Sequence, residues 1–259
     1  HGSTRKLARR APFLPAILAE HGYTTCAVDN LYRIAEYFAR GYEYYITPRL
    51  RGQYAQAVPC EQYNHRAIPW LRSHAAEPFF LFVHYWDPHT PYIPPERYRD
   101  LFYEGDPCDP TNTSLEGLWR HPFGEPWKRW FDTLRPGITD AAYIEAMYDS
   151  SIRYADDGVR DLLHTLDQLG LADDTLILIM ADHGEMMYRH GIYFDHHGLY
   201  DQDIHVPLVL RWPAGAGRGL RVPHFVQHID IAPTILDAVG IEIPDSMEGA
   251  SLLPYCLGE

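Results

Sequence analysis

The sequence predicts an α/β fold built on a mostly parallel sheet. Two observations lead to this prediction: the strand segments are apolar on both faces, and segments with helical periodicity separate them. With 259 residues, the chain is one large domain or two small ones, and it is long enough to bury a core. We expect one sheet that contains four segments: residues 23–29, 79–85, 175–181 and 206–212.

The N-terminal half of the sequence predicts two successive helix–strand pairs. Residues 12–21 form the first helix, which has prolines in its opening turns and is followed by Gly22. The segment "YTTCAVD", residues 23–29, is the strand that follows it. Residues 61–75 are then helical, and "PFFLFVHYW", residues 78–86, is a buried strand.

The C-terminal half begins with a long amphipathic helix. Thr139 or Asp140 can cap its start, and Gly170 ends it. Apolar residues repeat at three- and four-residue spacing along its length: Ile144, Met147, Ile152, Ala155, Val159, Leu162, Leu166 and Leu169. The predicted elements that follow are the strands 176–181 and 206–212 and a strand end, turn and helix over residues 228–240.

Residues 99–138 do not follow this alternation. They are rich in Pro, Gly, Trp and charged residues and have no clear hydrophobic period. We expect this segment to be a surface excursion or a lid.

Composition excludes some functions. The formal net charge of -13 argues against general nucleic-acid binding, and no apolar run approaches the ~18 residues of a membrane span. The four cysteines are widely spaced and form no CxxC pair, so they predict neither a disulfide framework nor a zinc knuckle. An anionic substrate would need a local positive site, such as a metal ion.

Ionisable residues gather where predicted strands end. Asp182 and His183 follow the strand at 175–181, and His89 follows the strand at 79–85. In parallel sheets, ligands bind beyond the carboxyl ends of the strands. A carboxylate beside an imidazole suits Mn²⁺, Zn²⁺ or Fe better than Mg²⁺, and suits Ca²⁺ only with additional oxygen ligands.

A structural alternative exists for this pair, because Asp182 could cap the next turn and His183 could be a solvated surface residue. The second cluster, Asp195-His196-His197, favours a functional site over that alternative. We interpret the nearby His190 and His205 as structural or solvated.

Four motifs in order resemble the sulfatases of the alkaline-phosphatase superfamily. They are "LPAILAEHGYTTCAVDN", "PFFLFVHYWDPHTPYIPP", "ADHGE" with "HHGLYDQDIHVPLVLRWP", and "HIDIAPTILDAVGIEIPDSMEGASLLP". The resemblance covers nearly the whole chain except residues 99–138. It implies an alkaline-phosphatase-like α/β/α sandwich and one sulfatase-like catalytic domain over residues 1–259.

The resemblance also implies roles for individual residues. Asp182 and His183 fall on the family's metal-ligand pair, and His89 falls on the histidine that contacts the sulfate. His196 stands where many sulfatases have a lysine that binds a sulfate oxygen, so here the group would be an imidazole whose charge depends on pH. It could orient the anion or protonate the leaving oxygen. The family's Lys-x-His is missing from the loop after residue 28.

The resemblance implies a divalent metal, with calcium first by family and manganese or zinc as alternatives, and a formylglycine made from Cys or Ser in C/S-x-P-x-R. The segment "CDPTN" is a chance match, because Asn112 occupies the arginine position and Cys108 follows the Pro-His motif instead of preceding everything else. His1-Gly2 resembles the pair that follows the nucleophile helix. We therefore expect a piece truncated at both ends, with the nucleophile upstream.

Three functions remain open. The first is a metal-dependent hydrolase of sulfate esters, with a small anionic ester as substrate and no nucleic-acid partner. The second is a phosphonate or phosphodiester hydrolase of the same superfamily. The third is a non-catalytic binding relative, which the missing Lys-x-His favours. We expect the 259-residue piece to be inactive by itself.

Overall fold

The computed structural model describes residues 11–48, 58–122, 124–213 and 219–258. The expectation about His1-Gly2 lies outside these residues. The described part contains nine α-helices and five strands. The helices are α1 (Leu14–Glu20), α2 (Cys60–Ser73), α3 (Glu96–Arg99), α4 (Glu116–Trp119), α5 (Gly124–Phe131), α6 (Ala141–Gln168), α7 (Asp201–Ile204), α8 (Ile231–Ala238) and α9 (Leu253–Leu257). The strands are β1 (Thr24–Val28), β2 (Tyr44–Ile46), β3 (Phe79–Val83), β4 (Ile177–Met180) and β5 (Leu208–Arg211).

Three strands form a parallel sheet in the order β2-β1-β3. The register pairs Cys26 with Tyr44 on one side and with Leu81 on the other. Parallel pairing brings the carboxyl ends of β1 and β3 to the same edge, and the backbone N–H of His84 still donates to the carbonyl of Val28 there (3.1 Å). The sequence did not predict β2, which is only three residues long.

The prediction of one sheet for all four segments is wrong. Within the described residues, β4 and β5 pair with each other, antiparallel, and with no strand of the first sheet; Ile177 lies opposite Arg211. An apolar run identifies a strand, but it gives neither the partner nor the direction of that strand. Both strands are only partly buried, because Ile179, Met180 and Val209 are exposed.

The main apolar cluster joins the sheet to α2 and α6. Cys26 and Val28 of β1 face this cluster, together with Trp70 and Leu71 of α2 and Leu166 of α6. Because strand side chains alternate between faces, the intervening residues of β1 point to the opposite side, where α1 lies against the strand. The sheet therefore has helices on both sides, as the predicted α/β class requires.

The long helix α6 begins as predicted. The side chain of Asp140 accepts a hydrogen bond from the N–H of Ala142 (2.9 Å), which satisfies one of the free donors of the first turn. After the helix, Gly170 adopts a positive φ of 71°, which suits glycine.

Residues 99–138 contribute a second apolar cluster that their composition did not predict. Five residues of the segment are buried with Tyr92, Phe194 and the first turns of α6; they are Leu115, Leu118, Phe131, Leu134 and Ile138. The ring of Phe131 packs edge-on against Phe194 (5.3 Å between centroids). The segment is thus anchored beside the loop that carries His196, and its role as a lid remains a prediction.

Among the described helices, none combines the length and the apolar character that a membrane crossing requires.

Candidate functional site

The loop after β3 positions His89. Asp87 lies two residues before it and accepts a hydrogen bond from the N–H of Cys60, the first residue of α2 (2.9 Å). Burial raises the pKa of Asp87 to about 7. On the other side, the buried hydroxyl of Thr90 donates to Glu185 (3.4 Å) and to the carbonyl of Phe194 (3.3 Å). These contacts fasten His89 between α2 and the segment that follows β4.

Asp182 and His183 directly follow β4. Gly184 allows the chain to turn tightly after them, because a Cβ at that position would meet the carbonyl oxygen of Gln202 at 1.8 Å. The N–H of Gly184 donates to the carbonyl of Asp203 (2.7 Å), which holds the turn against α7. This close approach of two backbones requires glycine, so the Asp-His pair is fixed at the end of the strand.

His196 reaches the same place through a short antiparallel contact. Met186 and Asp195 form a bridge in which each N–H donates to the other's carbonyl (2.9 and 3.4 Å). The bridge places the side chain of His196 beside Glu185, with 3.6 Å between Nδ1 and Oε1. Both side chains are nearly buried, at 10% and 3% exposure. The predicted second cluster therefore folds back onto the strand end.

His89, His183 and His196 form a three-histidine cluster. The rings of His183 and His196 stack at 3.9 Å between centroids, and His89 lies 5.9 and 5.3 Å from them. One potential ligand nitrogen of each ring lies within 4.8 Å of the others. The structure thus brings together three histidines that are up to 107 positions apart in sequence.

The orientation of two rings follows from their hydrogen bonds. His89 Nδ1 lies 2.8 Å from the carbonyl of Thr90, and His183 Nδ1 lies 2.8 Å from the carbonyl of Gly184. A carbonyl only accepts, so both Nδ1 atoms carry the hydrogen. The Nε2 atoms remain for other partners, which is the usual arrangement of imidazoles that bind a metal.

Electrostatics differ between the histidines. Burial lowers the pKa of His89, which favours the neutral ring. The Glu185 carboxylate raises the pKa of His196 despite partial burial, and Asp195 and Asp182 act in the same direction. The cluster therefore combines a ring biased toward the neutral form with one biased toward the cation.

Asp182 lies at the rim of the cluster. Its side chain is 76% exposed, and its Oδ1 is 3.7 Å from His183 Nε2. The same oxygen accepts the N–H of His183 (3.1 Å). A carboxylate oxygen and an imidazole nitrogen at this separation can reach one ion, since each metal–ligand bond is about 2.0–2.2 Å.

Other residues have structural contacts. His190 stacks on Tyr200 (4.2 Å between centroids), and the Sγ of Cys108 contacts the carbonyl of Pro136. Glu185 was part of a predicted motif, but nothing in the motif indicated that its side chain would contact both Thr90 and His196.

All residues of the candidate site lie in the part of the chain that matches a known family model. The sulfatase family model matches residues 1–241. The chain belongs to the sulfatase family. Among its curated relatives, the multifunctional alkaline phosphatase superfamily protein PehA of Trinickia caryophylli is 30% identical over 212 residues, and the arylsulfatase of Clostridium perfringens is 31% identical over 193 residues. These alignments cover 74% and 72% of this sulfatase-family chain.

Solved structures show the same fold at lower identity. The phosphonate monoester hydrolase of Silicibacter pomeroyi aligns with a TM-score of 0.74 and 23% identity, over 98% of this chain and 62% of that one. The phosphonate monoester hydrolase of Agrobacterium radiobacter aligns with a TM-score of 0.72 and 22% identity, over 97% and 63%. The fold is therefore that of the alkaline-phosphatase superfamily.

This chain spans only part of its relatives. The alignments cover 40% of the PehA protein and 39% of the arylsulfatase. What the whole protein does is therefore a matter for proposal.

The sulfatase family implies a divalent metal ion. The donor atoms in the described residues supply part of the ligand set that such an ion needs. Asp182 and His183 are close enough to share an ion, and the surrounding donors are imidazoles. This donor set suits a transition ion such as Mn²⁺ or Zn²⁺, whereas Ca²⁺ requires six to eight oxygens. The expected calcium preference therefore has no support in the described residues.

The family's formylglycine has no counterpart among the described cysteines. Cys26 and Cys60 are buried, and burial raises the pKa of each thiol to about 12. Cys108 lies in the segment 99–138, and Cys256 lies in α9. We derive no step through formylglycine from this chain.

Proposed function

We propose that the protein containing this chain hydrolyses sulfate esters in a metal-dependent reaction at the three-histidine cluster. The observation that carries the proposal is the gathering of His89, His183 and His196 beside Asp182 at the ends of two strands. A chain with a net charge of -13 needs such a local site to attract an anion.

His196 supplies the positive charge in this proposal. The Glu185 carboxylate keeps its imidazole protonated to a higher pH than usual. An imidazolium can attract the sulfate group and can also give its proton to the leaving oxygen as the ester bond breaks. It would thereby take over the position where many sulfatases have lysine.

His89 orients the ester. Its Nδ1–H is held by the carbonyl of Thr90, so Nε2 is the nitrogen available to the substrate. The approaching anion favours a proton on Nε2, which then donates to a sulfate oxygen. The contacts of Asp87 and Thr90 keep this ring in place while the substrate enters.

Asp182 and His183 would hold the metal ion. When bound, such an ion stabilises negative charge on the non-bridging oxygens of the ester. Additional ligands are needed, because a catalytic metal usually has at least three protein ligands. Gly184 and the backbone of Asp203 keep the two donors at a fixed distance.

A phosphonate or phosphodiester substrate is the second candidate. Two structures that share the fold carry the name phosphonate monoester hydrolase, and one curated relative is named multifunctional. The anion of either ester is tetrahedral and would use the same donors.

The proposal is tested with the full-length protein on aryl sulfate, phosphonate monoester and phosphate diester. We expect the highest kcat/KM on aryl sulfate, and we expect His196→Ala to lower kcat by about 10²–10⁴, as general-acid removal does. The matched control is His65→Ala, an exposed histidine on α2, which leaves kcat unchanged.

Higher kcat/KM on the phosphonate would establish the second candidate instead. A parent protein without activity on any of the three esters would support the non-catalytic alternative.

A further inference from the structure

A second carboxylate–imidazole pair lies at the same edge of the sheet. Asp29 directly follows β1 and His84 directly follows β3, and these strands are neighbours in the parallel sheet. His84 Nδ1 lies 2.8 Å from Asp29 Oδ1. Since an ionised carboxylate only accepts, Nδ1 carries the hydrogen and the ring leaves Nε2 for another partner.

Asp29 is buried and held from a second side. Its side chain is 2% exposed, and its other oxygen accepts the hydroxyl of Tyr45. Burial, followed by the contact with Asp29, raises the pKa of Tyr45, so the phenol stays protonated and donates. A buried carboxylate requires compensating charge or hydrogen bonds. Among the described residues, His84 is the one basic side chain within ion-pair distance of it.

His84 is connected to the candidate site through Trp86. The side chain of His84 is 22% exposed, whereas that of its partner Asp29 is almost fully enclosed. The ring of Trp86 lies next to His84 (5.4 Å between centroids) and also next to His89 (5.2 Å). Trp86 Nε1 is buried, and no hydrogen-bond acceptor for it is found in the described chain. Trp86 therefore lies between His84 and His89, and two nitrogens near this ring, Trp86 Nε1 and His84 Nε2, have no partner in the described chain.

A purely structural role explains less of this arrangement. The backbone hydrogen bond from His84 to Val28 already joins the strand ends (3.1 Å). A tie between β1 and β3 needs only a neutral donor, such as asparagine. It requires neither a group that can carry the charge opposite to Asp29 nor a partly exposed second nitrogen.

We propose that His84 is a further substrate-binding residue, whose Nε2, protonated when the anion binds, donates to an oxygen of the tetrahedral anionic ester while Asp29, itself held by Tyr45, holds the ring through Nδ1. This inference rests on the proposed function, because it adds a donor to the same anion site. The ligand class is a sulfate or phosphonate group, and both present the same oxygens.

Two substitutions separate the roles of the ring nitrogens. His84→Asn keeps a donor near the position of Nδ1, so it retains the contact with Asp29 and loses Nε2. His84→Gln keeps a donor near Nε2 and loses the contact with Asp29. The experiment measures the binding of inorganic sulfate and of methylphosphonate to the full-length, metal-loaded protein by calorimetry, and separately the turnover of aryl sulfate.

We expect His84→Asn to weaken anion binding about 10- to 100-fold, as loss of a charge-assisted hydrogen bond does, and to raise KM for the ester. His84→Gln should weaken anion binding less than His84→Asn does, because it keeps a donor near the position of Nε2. The anion whose binding is weakened more, sulfate or methylphosphonate, is the one that His84 binds more strongly. Unfolding curves for both variants exclude global loss of structure.

Parent-like anion binding by His84→Asn, or a greater loss in His84→Gln, would overturn the inference and leave the proposed function standing. A parent that binds sulfate through His84 but hydrolyses no ester would refute the proposed function and retain the inference. A parent that binds neither anion would overturn both.

Discussion

At the scale of single residues, the charge on His196 depends on Glu185. The two groups are nearly buried and 3.6 Å apart, so the carboxylate stabilises the imidazolium more than it would in water. His89 lies in the same cluster, but burial lowers its pKa. Two histidines whose rings are 5.3 Å apart therefore have pKa values that move in opposite directions.

We expect side-chain NMR of the metal-free protein to show this division. His196 should titrate above the ordinary histidine pKa of about 6.5, and His89 should titrate below it. In Glu185→Gln, which can still accept the hydrogen bond from Thr90, the pKa of His196 should fall. Equal pKa values for His89 and His196 in the parent would contradict this electrostatic account.

The turn at Gly184 gives a stability prediction. Gly184→Ala places a methyl group 1.8 Å from a backbone carbonyl that cannot move without shifting α7, and we expect a loss of about 2 kcal/mol or more in unfolding free energy. Gly191→Ala is the matched comparison, because nothing lies within 4 Å and only its positive φ of 73° is unfavourable. Urea unfolding should rank the two variants in that order, and the opposite order would contradict the packing argument.

The candidate residues could be predicted from the sequence to different degrees. His89 and His183 each follow an apolar run, and the strand ends of one parallel sheet meet at one edge, so their proximity was expected; the two residues do meet, although β3 and β4 lie in separate sheets. His196 required the resemblance to a family as well. The pairing of His84 with Asp29 could not be predicted, since the two residues are 55 positions apart and only the register of β1 with β3 brings them into contact.

At the scale of elements, Asp87 connects the loop after β3 to the first residue of α2. Burial raises the pKa of this carboxyl to about 7 from an ordinary value near 3.8. The unfolded chain loses the proton first, so the contribution of Asp87 to stability is complete below about pH 4 and is lost as pH rises through about 7.

Asp87→Asn should remove this dependence, because an amide oxygen can accept the N–H of Cys60 without ionising. We expect the variant to be more stable than the parent by about 1 kcal/mol or more at pH 8, with little difference near pH 4. Urea unfolding at both pH values measures this, with the exposed Asp174→Asn as control. If the variant is less stable than the parent at pH 8, the folded protein stabilises the ionised form of Asp87, which would contradict this prediction.

The elements themselves were mostly predictable. The α6 helix begins and ends within two residues of the prediction, because a cap, a long apolar period and a terminal glycine act together. The separate antiparallel pairing of β4 and β5 was not predictable, since strand direction depends on the path of the intervening loop and not on the composition of the strands.

At the scale of the whole molecule, the chain covers 40% or less of the curated relatives described above. The described part provides Asp182 and the three histidines of the cluster, and none of its cysteines belongs to that cluster. We therefore expect the 259-residue chain alone to show no turnover of aryl sulfate or aryl phosphate esters, while the full-length protein is active. Turnover by the 259-residue chain would mean that residues interpreted here as structural perform the chemistry.

The most direct test of metal-dependent hydrolysis at the three-histidine cluster compares three full-length proteins: the parent, Asp182→Ala and His196→Ala. Metal content and aryl sulfate turnover are measured for each, before and after treatment with a chelator. We predict that chelation abolishes turnover by the parent, that Asp182→Ala lowers metal content and turnover together, and that His196→Ala retains the metal but loses turnover, most strongly with poor leaving groups. Undiminished turnover after chelation, or parent-like turnover in both variants, would contradict the account.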